Sequence, residues 1–109
     1  MFKVADELTF THDVKVLTPA DGGHAEDVLK TTFRFLPSDE LAAFDLTRAD
    51  DTTAYLKAIV VAFHDLVADN GAPLAYSEEL RDKLLRRPDV RKALGNHYLA
   101  AVAKAPEGN

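Results

Sequence analysis

A change of apolar period near residue 36 restricts this chain's fold more than any other feature. Before it, Phe10, Val14 and Val16 alternate with Asp13 and Lys15, and Thr31, Phe33 and Phe35 alternate with Lys30, Thr32 and Arg34. Successive side chains of an extended backbone point to opposite faces, so residues 10–18 and 28–36 read as strands with one buried face. Pro19-Ala20-Asp21-Gly22-Gly23 between them is a cluster of turn residues. The two segments predict an antiparallel hairpin over about 8–36. A lone hairpin is marginal in water, so its apolar face must be covered. Its free edge is a place where subunits of a homo-oligomer could pair.

After residue 36 the pattern turns helical. A short helix is expected from Asp39 to about Leu46, capped by Ser38. A long one spans about 53–69, with caps from Asp50-Asp51-Thr52-Thr53, and is ended by Asn70-Gly71 and Pro73. A third starts at Ser77 and runs to about Arg87, where Pro88 stops it. A fourth follows from Val90 to about Lys104, capped by Asp89, with a frayed tail at Pro106-Glu107-Gly108-Asn109. Gly95 within it costs about 1 kcal/mol against Ala, which predicts close packing there. The expected fold is α+β, one domain over 1–109, mostly helical: the hairpin, then about four helices over 38–105.

Composition removes several chemistries. The chain of 109 residues has no cysteine, which excludes disulfides, thiolate zinc sites, iron–sulfur clusters and cysteine nucleophiles. Eighteen acidic against 13 basic side chains give a net charge of −5, a poor general match to polyanions. Met1 to Glu7 carry no basic segment followed by an apolar run, so no signal peptide is expected. The longest apolar run, 58–63, is six residues, against about 20 needed to span a bilayer. A protein of the cytoplasm without a membrane partner is the expectation.

No catalytic, cofactor or metal site is read from the residues. His12, His24, His64 and His97 are scattered without zinc-ligand spacing. His64 and Asp65 are neighbours, and adjacent helical positions do not face each other. There is no nucleophile elbow, and Gly22-Gly23 lacks the residues of a phosphate loop. An enzyme is not expected.

The apolar faces carry more. On the expected 53–69 helix, Tyr55, Ile59, Phe63 and Leu66 form a stripe that Leu56, Val60 and Val67 widen. That arc exceeds the roughly 100° of an ordinary surface helix. It reads first as a central helix surrounded by the hairpin and the other helices; the second reading leaves part of the stripe open to a partner. Val90, Leu94, Tyr98, Ala101 and Val102 make a second stripe on the fourth helix. The candidate contact residues are Tyr55, Ile59, Val60, Phe63, Val67, Leu94 and Tyr98. Arg81, Lys83, Arg86, Arg87, Arg91 and Lys92 stand among Glu78, Glu79, Asp82 and Asp89. Two helices meeting at Pro88 are one arrangement for reading DNA, but a solvated face laced with ion pairs is the commoner use. Nucleic acid is not an expected partner.

The order of features resembles the tail assembly chaperones of long-tailed bacteriophages and related prophages, over nearly the full chain. It rests on Leu8-Thr9-Phe10-Thr11-His12-Asp13-Val14-Lys15-Val16, the turn Asp21-Gly22-Gly23, and Leu29-Lys30-Thr31-Thr32-Phe33-Arg34-Phe35-Leu36. The apolar segment Leu56 to Val67, the loop Asp69-Asn70-Gly71-Ala72-Pro73, and Tyr76-Ser77-Glu78-Glu79-Leu80 follow. Leu84-Leu85-Arg86-Arg87-Pro88-Asp89-Val90, then Ala93-Leu94, Tyr98 and Gly108-Asn109, complete it. The resemblance implies a non-enzymatic role without cofactors. Such proteins keep the long helical tape measure protein soluble, help recruit tail tube subunits around it, and leave before the virion is finished. In several relatives a frameshift adds a second domain. Two other readings of the residues are a structural tail or connector component, and a small regulator binding nucleic acid through Arg81, Arg86, Arg87 and Arg91.

Overall fold

The computed structural model describes residues 1–103. The expected hairpin is present and longer than its apolar pattern: β1 (Thr9–Ala20) pairs antiparallel with β2 (Gly23–Arg34) without a register break. Asp21 and Gly22 make the turn, with Gly22 at φ 79°, a left-handed value that a side chain disfavours. Val14 and Val16 of β1 and Leu29, Thr31 and Phe33 of β2 turn to one face and are buried. Thr31 satisfies its hydroxyl on the Leu29 carbonyl at 3.0 Å.

The helical half departs from expectation at its centre. α1 (Ser38–Ala42) is short, and Pro37 rather than Ser38 occupies its cap position, with no side-chain cap bond. α2 (Ala49–Ile59) begins four residues earlier than expected, so Asp50 and Asp51 sit inside its first turn, complementing the helix dipole. It stops at Ile59, and the chain passes directly into β3 (Val60–His64), which pairs antiparallel with β2 from Lys30 to Phe33. The predicted 53–69 helix is therefore half helix and half strand. Strand pairing overrides the helical spacing because Val60, Val61 and Phe63 suit a pleated surface and β2 offers an open edge to pair with.

The expectation of a mostly helical fold is corrected accordingly. The described chain is 37% helix and 32% strand, an α+β fold with a three-stranded antiparallel sheet in the order β1-β2-β3. Asp65, at φ 55°, then turns the chain into the small ribbon of β4 (Leu66–Val67) and β5 (Pro73–Leu74).

α3 (Glu78–Leu84) is capped by Ser77, whose hydroxyl accepts the Leu80 N–H at 3.0 Å. α4 (Pro88–Val102) opens on Pro88, where a missing N–H costs nothing. Asp89 lies within its first turn, not before it. Lys104 and the tail from Pro106, including Gly108-Asn109, lie outside the described residues.

One core joins sheet and helices. Phe33 and Phe63 from the sheet meet Tyr55, Leu56 and Ile59 of α2, Leu85, and Val90, Leu94 and Tyr98 of α4. Burial of these side chains is the main favourable term. Polar staples fix the layers. Arg91 donates to Thr53 Oγ1 at 2.7 Å and to the carbonyls of Leu85 and Ala49 at 3.0 Å each, tying α4 to α2 and the end of α3. Thr18 donates to Asp89 at 2.7 Å, and Arg87 closes on the same carboxylate at 2.6 Å. That guanidinium, helped by Thr18 and the Val90 N–H, holds the Asp89 carboxyl down to about 2.

Candidate functional site

The seven candidate contact residues do not form one surface. Tyr55, Ile59, Val60, Phe63, Leu94 and Tyr98 are all core, none more than 2% exposed. Only Val67 is open, at 62%. The open helical stripe is therefore corrected: its spacing reports burial from two sides, by β2 at Val60 and Phe63 and by α4 at Tyr55.

Val67 does lie on a surface with a distinctive build. With Leu74, Leu80 and Leu84 it lines a cleft between the β4–β5 ribbon and α3, bordered by Lys83, Arg86, Arg87 and Pro88. A second cleft runs along α4, from Pro88 past Lys92 and Gly95 to Leu99, with Leu46, Thr52 and the Tyr55 ring opposite. The two clefts share Arg86 and Pro88. Leu46, Val67, Leu74 and Leu99 are all exposed large apolar residues, and cations outnumber acids around them: Asp69 is the one acid in the first cleft, and the second has Arg86, Arg91 and Lys92 with Thr52 and Asn96. The α4 wall from Pro88 to Leu99 is about 16 Å long at 1.5 Å per residue, three helical turns.

Gly95 gives the second cleft its floor. Close packing does not demand a glycine there: an added Cβ would meet only Tyr55 Cε2, at 3.8 Å, an ordinary contact. The close-packing expectation is thus corrected. The glycine weakens α4 by about 1 kcal/mol and leaves open space facing solvent.

The basic cluster is mostly committed internally. Arg81 pairs with Glu78 and Asp82, Arg87 with Asp89, and Arg91 with α2 and the end of α3. Of the four arginines a nucleic-acid reading needs, Arg86 alone has no side-chain hydrogen bond or ion pair among the described residues.

Two polar groupings involve histidine. On the solvent face of the sheet, Thr11 and Thr32 hydroxyls lie 2.7 Å apart, and Thr32 Oγ1 is 2.7 Å from His64 Nε2, a row crossing all three strands. Between β1 and α4, His12 Nδ1 is 2.8 Å from His97 Nε2. Burial, and then the charge of His12, hold the His97 imidazole below its ordinary 6.5. Among the described residues no three His, Cys, Asp or Glu side chains converge as a metal site would require. No helix among them is long and apolar enough to cross a membrane. Sequence reasoning missed the two clefts because Leu46 comes from the turn before α2 and Val67, Leu74 and Leu99 from three separate elements, with no shared period.

Comparisons with protein-family models, curated proteins and solved structures yield no match to this chain.

Proposed function

We propose that this chain is a non-enzymatic tail assembly chaperone of the host cytoplasm. It shields an amphipathic helical segment of the tape measure protein while tail tube subunits gather. The observation that carries the reading is the pair of apolar clefts joined at Arg86, rimmed by Lys83, Arg86 and Lys92 in a chain of net charge −5. A helix with an apolar stripe and acidic flanks fits that combination of floor and rim. Helix-in-groove contacts bury the stripe, and opposite charges set orientation and speed of encounter. The order of sequence features shared with the tail assembly chaperones supports the same role.

Co-expression with the tape measure protein tests it. Soluble yield of the partner should rise with the wild-type chain and fall back with Arg86→Glu/Lys92→Glu, whose side chains are exposed. An unchanged yield with the wild-type chain sinks the proposal. Mass spectrometry of purified particles separates it from a structural tail component, because a chaperone is missing from them.

A further inference from the structure

β1 lies at the edge of the sheet, with β2 on one side and, among the described residues, no strand on the other. Its 12 residues run without a bulge, and long regular edges are normally blunted by natural proteins. The groove beside it is lined by Asp13, Val14 and Lys15 below and by Ala93, Asn96 and His97 of α4 above. Pro19 has no N–H for the ladder, which places it where the backbone faces the free edge. By alternation, Thr11, Asp13, Lys15 and Leu17 turn their N–H and C=O groups outward as well.

We infer that this edge pairs with the same edge of a second copy, antiparallel and centred on Val14, to give a continuous six-stranded sheet. The sequence of β1 is complementary to itself only about that centre. Asp13 then faces Lys15 of the second copy, and Lys15 faces its Asp13, on the solvent side of the sheet. Opposite charges directly across a strand pair stabilise it, and like charges oppose it. On the α4 side the facing positions are Val14 with Val14 and His12 with Val16, and α4 already covers both valines within each copy. The paired stretch runs over residues 10–18 and stops just before Pro19, which would lack a donor for any longer ladder. The contact is isologous, so it closes as a two-fold dimer and does not propagate. It leaves the cleft at Val67 untouched and shares only Asn96 with the α4 cleft.

Sedimentation velocity and amide exchange on the full chain test the pairing. The wild-type chain should form a concentration-dependent dimer, with the amides of Thr11, Asp13, Lys15 and Leu17 protected. Lys15→Asp places two acids opposite two acids, and Asp13→Lys does the same with cations, so each should weaken self-association about tenfold or more. Both positions are solvent-exposed, and circular dichroism checks that each variant folds. Mixing the two variants should restore dimers as heterodimers, because every cross-strand pair is then attractive. A wild-type chain that stays monomeric, or a dimer indifferent to both substitutions, overturns the inference. Protected edge amides in a monomer would overturn it too.

Discussion

The Tyr98 hydroxyl donates to the Arg34 carbonyl at 2.8 Å and accepts the Leu36 N–H at 2.9 Å. The last helix thereby holds the end of β2. Arg34 in turn sends its guanidinium to the carbonyls of Ala58 and Val60, at 3.3 and 3.2 Å, across the junction of α2 and β3. Tyr98→Phe keeps the ring in the core and removes both hydrogen bonds, leaving an N–H and a C=O without their partner. Urea unfolding should show a loss of about 1–3 kcal/mol. An unchanged midpoint would mean that water replaces the hydroxyl.

Gly95→Ala should move stability the other way. The new methyl meets the Tyr55 ring at 3.8 Å without strain, and the helix gains up to about 1 kcal/mol. The same methyl raises the floor of the α4 cleft, so binding of a helical partner should weaken as the melting temperature climbs. A variant that binds normally would remove that cleft from the contact.

Acid should destabilise the chain through His97. Its folded pKa is lowered, so the unfolded chain binds the proton more readily. Stability is full above the unfolded value of about 6.5 and is lost as pH falls through the lower folded value. Asp89 adds nothing in that window, because its contribution is present above about 3.8 and lost only towards about 2. Chemical denaturation between about pH 7 and 5 should show a slope that His97→Gln flattens. A slope unaffected by the substitution would place the titrating group elsewhere.

Asp65 breaks β3 from β4 with φ 55° and its side chain 83% exposed. Asp and Asn tolerate this conformation and β-branched residues do not. Asp65→Asn should leave stability unchanged, while Asp65→Val should cost about 1–2 kcal/mol in thermal or urea unfolding. Equal stability of the two variants would show that the turn relaxes.

The hairpin was legible because Val14, Val16, Leu29, Thr31 and Phe33 obey one rule, alternation about a single buried face. The fourth helix was legible because Val90, Leu94 and Tyr98 share one stripe against the sheet. The segment after Ile59 was misread for a physical reason. Tyr55, Ile59 and Phe63 keep helical spacing, yet Phe63 is buried as the strand partner of Thr31, a contact made across 32 residues of chain. The β-branched run Ile59-Val60-Val61 followed by Phe63 is the local sign of a strand. The clefts could not be read at all, since tertiary folding alone brings Val67 near Leu80 and Leu46 near Leu99.

The passage from Ile59 in α2 to Val60 in β3 has no loop, and its slack is a single β-bulge: Phe33 pairs with Val60 and Thr32 with Ala62, so Val61 has no partner on β2. The bulge lets Val60 and Phe63, three residues apart, share the buried face; one insertion beyond it, between Ala62 and Phe63, would turn Phe63 to water and the solvent-side His64 inward. Length variation in any descendant of this sequence should therefore gather at the hairpin tip, around Gly71 and at Val61, and avoid the regularly paired stretch from Ala62 to His64.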